Sequence, residues 1–344
     1  MPIKAMRIHR HGGPEVLQLN EIDPPHAGAG EVTVEVKACA LNRLDIWTRT
    51  GMPNVSIEMP RILGSDVSGI VVETGEGVTD VRLGVEVVLQ PGLSCRRCLR
   101  CLQGRDNECR QYKVLGSRVD GGYTERLSVP VENLLPKPKR LSFEEAASVP
   151  LVFLTAWHML VERARLRPGE DVLVLAAGSG VGIAAIQIAK LWGARVIATA
   201  STDAKLARAQ ELGADDLVNY REQDFAREVQ RLTDKKGVDV VIEHVGQDTF
   251  PKSLQSLARG GRLVTCGATS GPDIEVDLRY VFARHLALLG SHMGGKHELA
   301  ELLPFFDTGR LKPVVDRVFP LEEAADAHRR MENREQFGKI VLRI

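Results

Sequence analysis

The chain has 344 residues, 44% of them hydrophobic, and its 45 Lys and Arg balance its 45 Asp and Glu. That length provides core enough for two domains. The zero net charge argues against a nucleic acid or an anionic membrane surface as partner, because either would be met by a basic excess. The opening MPIKAMRIHRHGG lacks an apolar core of signal-peptide length. A cytoplasmic, reducing setting is therefore expected, where clustered cysteines read as metal ligands before disulfides.

Residues 1–150 read as mostly β. EVTVEVKACAL alternates apolar and polar, and VSGIVVETG and VEVVLQPG are short apolar runs cut by Gly and Pro. DPPHAGAG and PKPKRLS read as loops. Within this region, at about 91–112, lies PGLSCRRCLRCLQGRDNEC, with Cys95, Cys98, Cys101 and Cys109 spaced C-x2-C-x2-C-x7-C. Four thiolates can close a tetrahedral zinc site that leaves no position for water or substrate, so such a metal holds a loop together. An iron–sulfur cluster is the rival, since its motif also begins C-x2-C-x2-C. Its next cysteine normally follows after three residues and precedes Pro, whereas Cys109 follows after seven and precedes Arg110. Cys39 and Cys266 lie in strand-like apolar runs and read as packed thiols.

From 151 to about 295, strand-like runs alternate with helical ones: DVLVLAA then GIAAIQIAKLWG, ARVIATA then DAKLARAQELGA, DVVIEHVG then TFPKSLQSLARGG, then RLVTCGA. Short loops between alternating elements predict a doubly wound parallel sheet. The uncharged stretch Val172–Ala189 approaches the ~18–20 residues of a membrane span. Glycines crowd its middle, and Asp171 and Lys190 bound it, so it reads as a buried strand, a tight turn and a buried helix. The turn holds Gly178, Ser179, Gly180, Val181 and Gly182. Glycines there admit a phosphate to the backbone, and the helix N-terminus supplies N–H groups and a dipole.

The next strand, ARVIATA, ends where an acid usually receives the ribose hydroxyls of NAD. Ala200 and Ser201 stand there instead, and Asp203 falls in the first turn of the following helix. Lys205 and Arg208 on that helix suit a 2′-phosphate; they also suit ordinary solvated helix charges. Residues 296–344 hold VVDRVFP, the helical LEEAADAHRRMENR and a last strand, GKIVLRI, which predicts a return to the first domain. His158, His244, His292 and His297 have no partner spacing that signals a site. A packed or solvated histidine is the simpler reading for each, although His244 lies near the end of a parallel strand, where ligands bind. Asp45 reads as a buried brace for its loop.

HGGPEVLQL, ALNRLDIWTRTG, the four-cysteine lobe, SFEEAASVPLVFLTAWHML, AAGSGVG, LGAD…VNY and FGKIVL together resemble the medium-chain dehydrogenase/reductase superfamily. The resemblance covers the whole chain and is closest to the zinc-binding alcohol dehydrogenase and quinone oxidoreductase branch. It implies an α/β chain made of a GroES-like β-rich catalytic domain and a Rossmann domain. It also implies one structural zinc on Cys95, Cys98, Cys101 and Cys109. Family members with a catalytic zinc draw its ligands from three segments. Here Asn42, Ser65 with Asp66, and Leu151 stand at those places, and Leu44 and Trp47 replace the proton-relay groups. Asn42 and Asp66 alone make a poor transition-metal site.

Without a Lewis acid, the resemblance implies reduction of an α,β-unsaturated carbonyl or quinone, with Asn42 and Asp66 as candidate catalytic residues. An alcohol dehydrogenase with a rearranged site and a non-catalytic NADPH-binding protein are the alternatives. NADPH-specific relatives contact the 2′-phosphate through residues matched here by Ser201, Lys205 and Tyr220, so NADP(H) is favoured over NAD(H). By the same resemblance Asn42, Arg43, Thr155, Gly267, Ser291 and Lys339 border the cofactor. Homodimers or homotetramers are usual in the superfamily.

Overall fold

A computed structural model describes residues 1–53 and 55–344; Asn54 lies outside the described residues. The chain divides into two compact units, Met1–Leu151 with Gly295–Ile344, and Val152–Gly294.

The first unit is built on a sheet in which Glu31–Ala40 is central. Val32, Thr33, Val34, Val36, Ala38, Cys39 and Ala40 of that strand are buried, and its apolar face joins Val67, Val71, Leu89, Ile340 and Leu342 in one core. Asp66–Thr74 pairs with it antiparallel on one side and Lys339–Arg343 on the other. The register sets Ala40 opposite both Asp66 and Val341. Three chain segments far apart in sequence therefore end at one place. The C-terminal segment reaches this sheet through the strand Val315–Pro320, which runs parallel to Lys339–Arg343, and the helix Ala324–Glu332. A two-residue ladder, Gly92–Leu93 against Lys113–Val114, closes the base of the cysteine lobe.

The second unit is a six-stranded sheet with every pair parallel. Its spatial order is Asp216–Asn219, Arg195–Ala200, Asp171–Val174, Val238–Glu243, Leu257–Thr265 and Ala287–Gly290. In chain order this is 3-2-1-4-5-6, so the winding reverses between Asp171–Val174 and Val238–Glu243. Ligands of open α/β sheets bind at the carboxyl ends of the two strands flanking such a reversal. Both strands are buried on both faces, which explains their continuous apolar runs. The first strand, turn and helix occupy the uncharged stretch, and no helix among the described residues is long and apolar enough to cross a membrane.

Candidate functional site

The lobe brings Cys95, Cys98, Cys101 and Cys109 together, with one sulfur from each lying within 4.8 Å of all the others. Cys98 and Cys101 Sγ are 3.5 Å apart and Cys95 and Cys101 Sγ 4.0 Å apart. Tetrahedral zinc with bonds of about 2.3 Å sets its sulfurs about 3.8 Å from one another. No disulfide joins them. The backbone N–H groups of Arg97 and Cys98 draw the Cys95 thiol down to about 6. Cys98, despite a backbone N–H from Cys101, is pushed up to about 11 by burial and its thiol neighbours. Cys109 Sγ accepts the N–H groups of Cys95 at 3.5 Å and Gln111 at 3.4 Å. A four-sulfur set with inward N–H donors fits a soft divalent cation and offers it no open position. Among the described residues no other group of three or more His, Cys, Asp or Glu side chains is gathered for a metal.

Asn42, Asp66 and Lys339 meet where the three strands end. Lys339 Nζ donates to Asn42 Oδ1 at 2.6 Å and to Asp66 Oδ2 at 2.8 Å. Asn42 Nδ2 donates to the same carboxylate oxygen at 2.9 Å, and the Leu151 N–H donates to Asp66 Oδ1 at 2.7 Å. All three side chains are buried, Asp66 completely. Ser65, beside Asp66, turns away and donates to the Leu115 carbonyl at 2.7 Å.

Below them the fully buried Asp45 accepts the Asn42 N–H at 2.7 Å and the Gly64 N–H at 2.9 Å, and so ties the two turns together. Burial pushes Asp45 up to about 7, against those two donors. Gly64 sits at φ +97°, where a Cβ would lie 2.5 Å from the Tyr123 ring and 2.6 Å from Cys39 Sγ. Arg43 opens the helix Arg43–Thr50 directly after Asn42, half-buried, with Nε lacking a partner. Lys339, which the resemblance puts beside the cofactor, spends two of its N–H bonds on Asn42 and Asp66.

In the second unit Gly178, Ser179, Gly180, Val181 and Gly182 form the turn into the helix Gly180–Leu191. Ser179 caps it, its Oγ accepting the Gly182 N–H at 2.9 Å. A Cβ on Gly182 would lie 2.5 Å from the Ala176 carbonyl oxygen, so only glycine lets the helix start this close to the strand. One strand over, Ala200 pairs with Asn219, which sets Ser201 and Tyr220 side by side; Tyr220 is 43% exposed. Lys205 follows on the helix Asp203–Glu211, half-buried. Asp203, the first residue of that helix, accepts Asn219 Nδ2 at 2.9 Å.

The pairing of Glu243 with Thr265, and of Thr265 with Gly290, brings His244, Gly267 and Ser291 to the carboxyl edge of the same sheet. Thr155 Oγ1, Ser291 Oγ and His244 Nδ1 are buried polar atoms without a partner among the described residues. Orphaned polar atoms and a glycine cradle at a topological switch fit a dinucleotide. The joining of Lys339 to Asp66 is not foreshadowed in the sequence, because its partners lie 273 and 297 residues away. His244 carried a signal in its place after the switch strand.

A model for alcohol dehydrogenase GroES-like domains matches residues 28–139, and one for zinc-binding dehydrogenases matches residues 180–308. The chain is 32% identical to a 2-haloacrylate reductase of Burkholderia sp over 99% of its own length and 98% of the relative's. It is 33% identical to an alcohol dehydrogenase of Geobacillus stearothermophilus over 95% and 96%. A crystal structure of an NAD-dependent alcohol dehydrogenase superposes with a TM-score of 0.96 at 51% identity, covering 99% of each chain. With the GroES-like sheet, the doubly wound sheet and its glycine turn, these matches make the chain a member of the medium-chain dehydrogenase/reductase superfamily and an NAD(P)H-dependent oxidoreductase of its quinone-reductase and alcohol-dehydrogenase-like branch.

Proposed function

We propose that the protein reduces α,β-unsaturated carbonyls or quinones with NADPH, without a catalytic metal, and carries one structural zinc on its four cysteines. One observation carries this reading. The Lys339 ammonium already takes the side-chain oxygens of Asn42 and Asp66, while Ser65, the third polar group left where the resemblance puts the family's metal, donates to the Leu115 carbonyl. A divalent cation there would have to displace a buried cation and would gain neither imidazole nor thiolate.

When bound, the reduced nicotinamide supplies a hydride to the β-carbon of the substrate. Charge then develops on the carbonyl oxygen, and protein N–H donors must stabilise it. Lys339 has a third N–H beyond those given to Asn42 and Asp66. The second amide N–H of Asn42 reaches only the Ala40 carbonyl, at 3.5 Å. These two are the donors assigned to the developing enolate oxygen, and the α-carbon takes its proton from solvent. Asp66 holds the ammonium in place, held itself by the Leu151 N–H.

NADPH preference rests on Ser201, Lys205 and Tyr220 and on the strand end itself, where Ala200 and Ser201 stand in place of an acid for the ribose diol. The similarity to an NAD-dependent alcohol dehydrogenase favours a second reading, oxidation of alcohols with NAD. A substrate screen separates the two. NADPH oxidation with enones and quinones, and no alcohol turnover, is the expected result. Alcohol oxidation with NAD and no enone reduction would overturn the reading.

A further inference from the structure

Ser179 and His244 face each other across the reversal of the second sheet. Ser179 follows the strand Asp171–Val174 and His244 follows Val238–Glu243, which are paired neighbours. Ser179 Oγ and His244 Nε2 are 3.0 Å apart. His244 is only 9% exposed, and its Nδ1 has no partner. Its backbone is fixed by what surrounds it. The buried Glu243 carboxylate receives the N–H groups of Val245 and Gly246 at 2.7 and 3.0 Å and the Ser253 hydroxyl at 2.7 Å. The His244 carbonyl accepts Thr269 Oγ1 at 3.3 Å. Among the described residues no carboxylate reaches Nδ1, so the pair is not the start of a nucleophilic triad. Burial pushes the imidazole below its ordinary value, against the pull of Glu243, and this keeps it neutral.

A neutral ring has one N–H and one bare nitrogen. Ser179 Oγ has already received the Gly182 N–H. If the hydroxyl donates to Nε2, the proton on Nδ1 is buried unpaired. If Nε2 carries the proton and donates to Oγ, the hydroxyl hydrogen is released toward the helix N-terminus, where an anion binds. We propose that His244 is a positioning residue for the cofactor's diphosphate: in the bound state its Nε2–H donates to Ser179 Oγ, and the Ser179 hydroxyl donates to a diphosphate oxygen. The ring stays neutral, since any proton leaving Nδ1 is matched by one arriving on Nε2. This rests on the nicotinamide cofactor seating at the glycine turn.

The test is fluorescence titration of the full chain with NADPH and NADH, alongside 15N spectra of histidine-labelled protein. In the NADPH complex Nε2 of His244 carries the proton and Nδ1 is bare. His244→Leu weakens NADPH about tenfold, a charge-assisted hydrogen bond's worth. His244→Gln, whose amide can donate where Nε2 does, stays within about threefold of the parent, since the donor is kept. Ser179→Ala loses as much as His244→Leu, and the double variant loses no more than either, as expected for two groups acting as one. A proton on Nδ1 in the complex, a Gln variant as weak as Leu, or additive losses in the double variant would overturn the proposal. A parent chain that binds neither NADPH nor NADH overturns the cofactor reading itself, and the proposal with it.

Discussion

Lys339 is buried where Asn42 and Asp66 meet, and it donates to both. Its ammonium is buried against Asp66 at 2.8 Å, with side-chain exposures of 5% and 0%. Removing one partner of a buried pair leaves an uncompensated charge, which costs about 3–5 kcal/mol. Lys339→Met is therefore expected to lower the unfolding free energy by that amount in denaturant titration. Lys339→Met with Asp66→Leu should recover most of the loss, because both charges are then gone. A stable single variant would show that the pair is not buried as described.

The donor role is separable from stability. Removing a donor aimed at developing charge typically lowers kcat by about 10²–10³-fold. Asn42→Ala, which keeps both charges, is expected to lose that much with enones; a kcat within a few-fold of the parent would remove Asn42 from the mechanism. The family resemblance implies that the catalytic-zinc ligands are replaced at Asn42, Ser65, Asp66 and Leu151. It does not show that a lysine from the last strand joins the place, because only the register of three strands brings Lys339 there.

Two elements lend themselves to test. The Asn42 and Gly64 turns are joined by Asp45, whose carboxyl is held at about 7 against an ordinary 3.8. Between about pH 4 and pH 7 the folded chain therefore binds the extra proton, so stability falls as pH rises there, by at most about 1.4 kcal/mol per pH unit. The difference in melting temperature between the parent and Asp45→Asn, followed across that range, is expected to slope accordingly. A flat difference would contradict a raised Asp45.

The cysteine lobe is the second element. Cys101→Ser is expected to release the metal and lower the melting temperature, while whatever stays folded binds NADPH with unchanged affinity. A stable variant that had lost only turnover would make the lobe a chemical centre instead. Cysteine spacing made the lobe legible, and strand–helix context did the same for the glycine turn of the second unit. The helix Leu278–Ala283 and the edge strand Ala287–Gly290 were not, because Leu278 and Phe282 are 70% and 68% exposed and leave no clean apolar period. TFPKSLQSLARGG reads as one helix, yet the helix stops at Ser256 and Leu257 begins a strand that pairs Val238 and, past a register shift, Val240.

At the scale of the whole molecule the α/β class followed from one contrast, irregular β runs in the first part of the chain against strand–helix alternation in the second. Periodicity and turn residues are local signals, and they suffice for a doubly wound sheet. They do not suffice for a reaction, since relatives that reduce 2-haloacrylate and relatives that act on alcohols share the same framework. Under the proposed function, the two activities are separated by whether a second metal is present. The most direct measurement is metal content per chain by mass spectrometry on enzyme that is turning over an enone with NADPH. One zinc per chain, with turnover unaffected when further divalent metal is stripped or added, is the predicted result. Two metals per chain, with turnover lost on removal of the second, would contradict it.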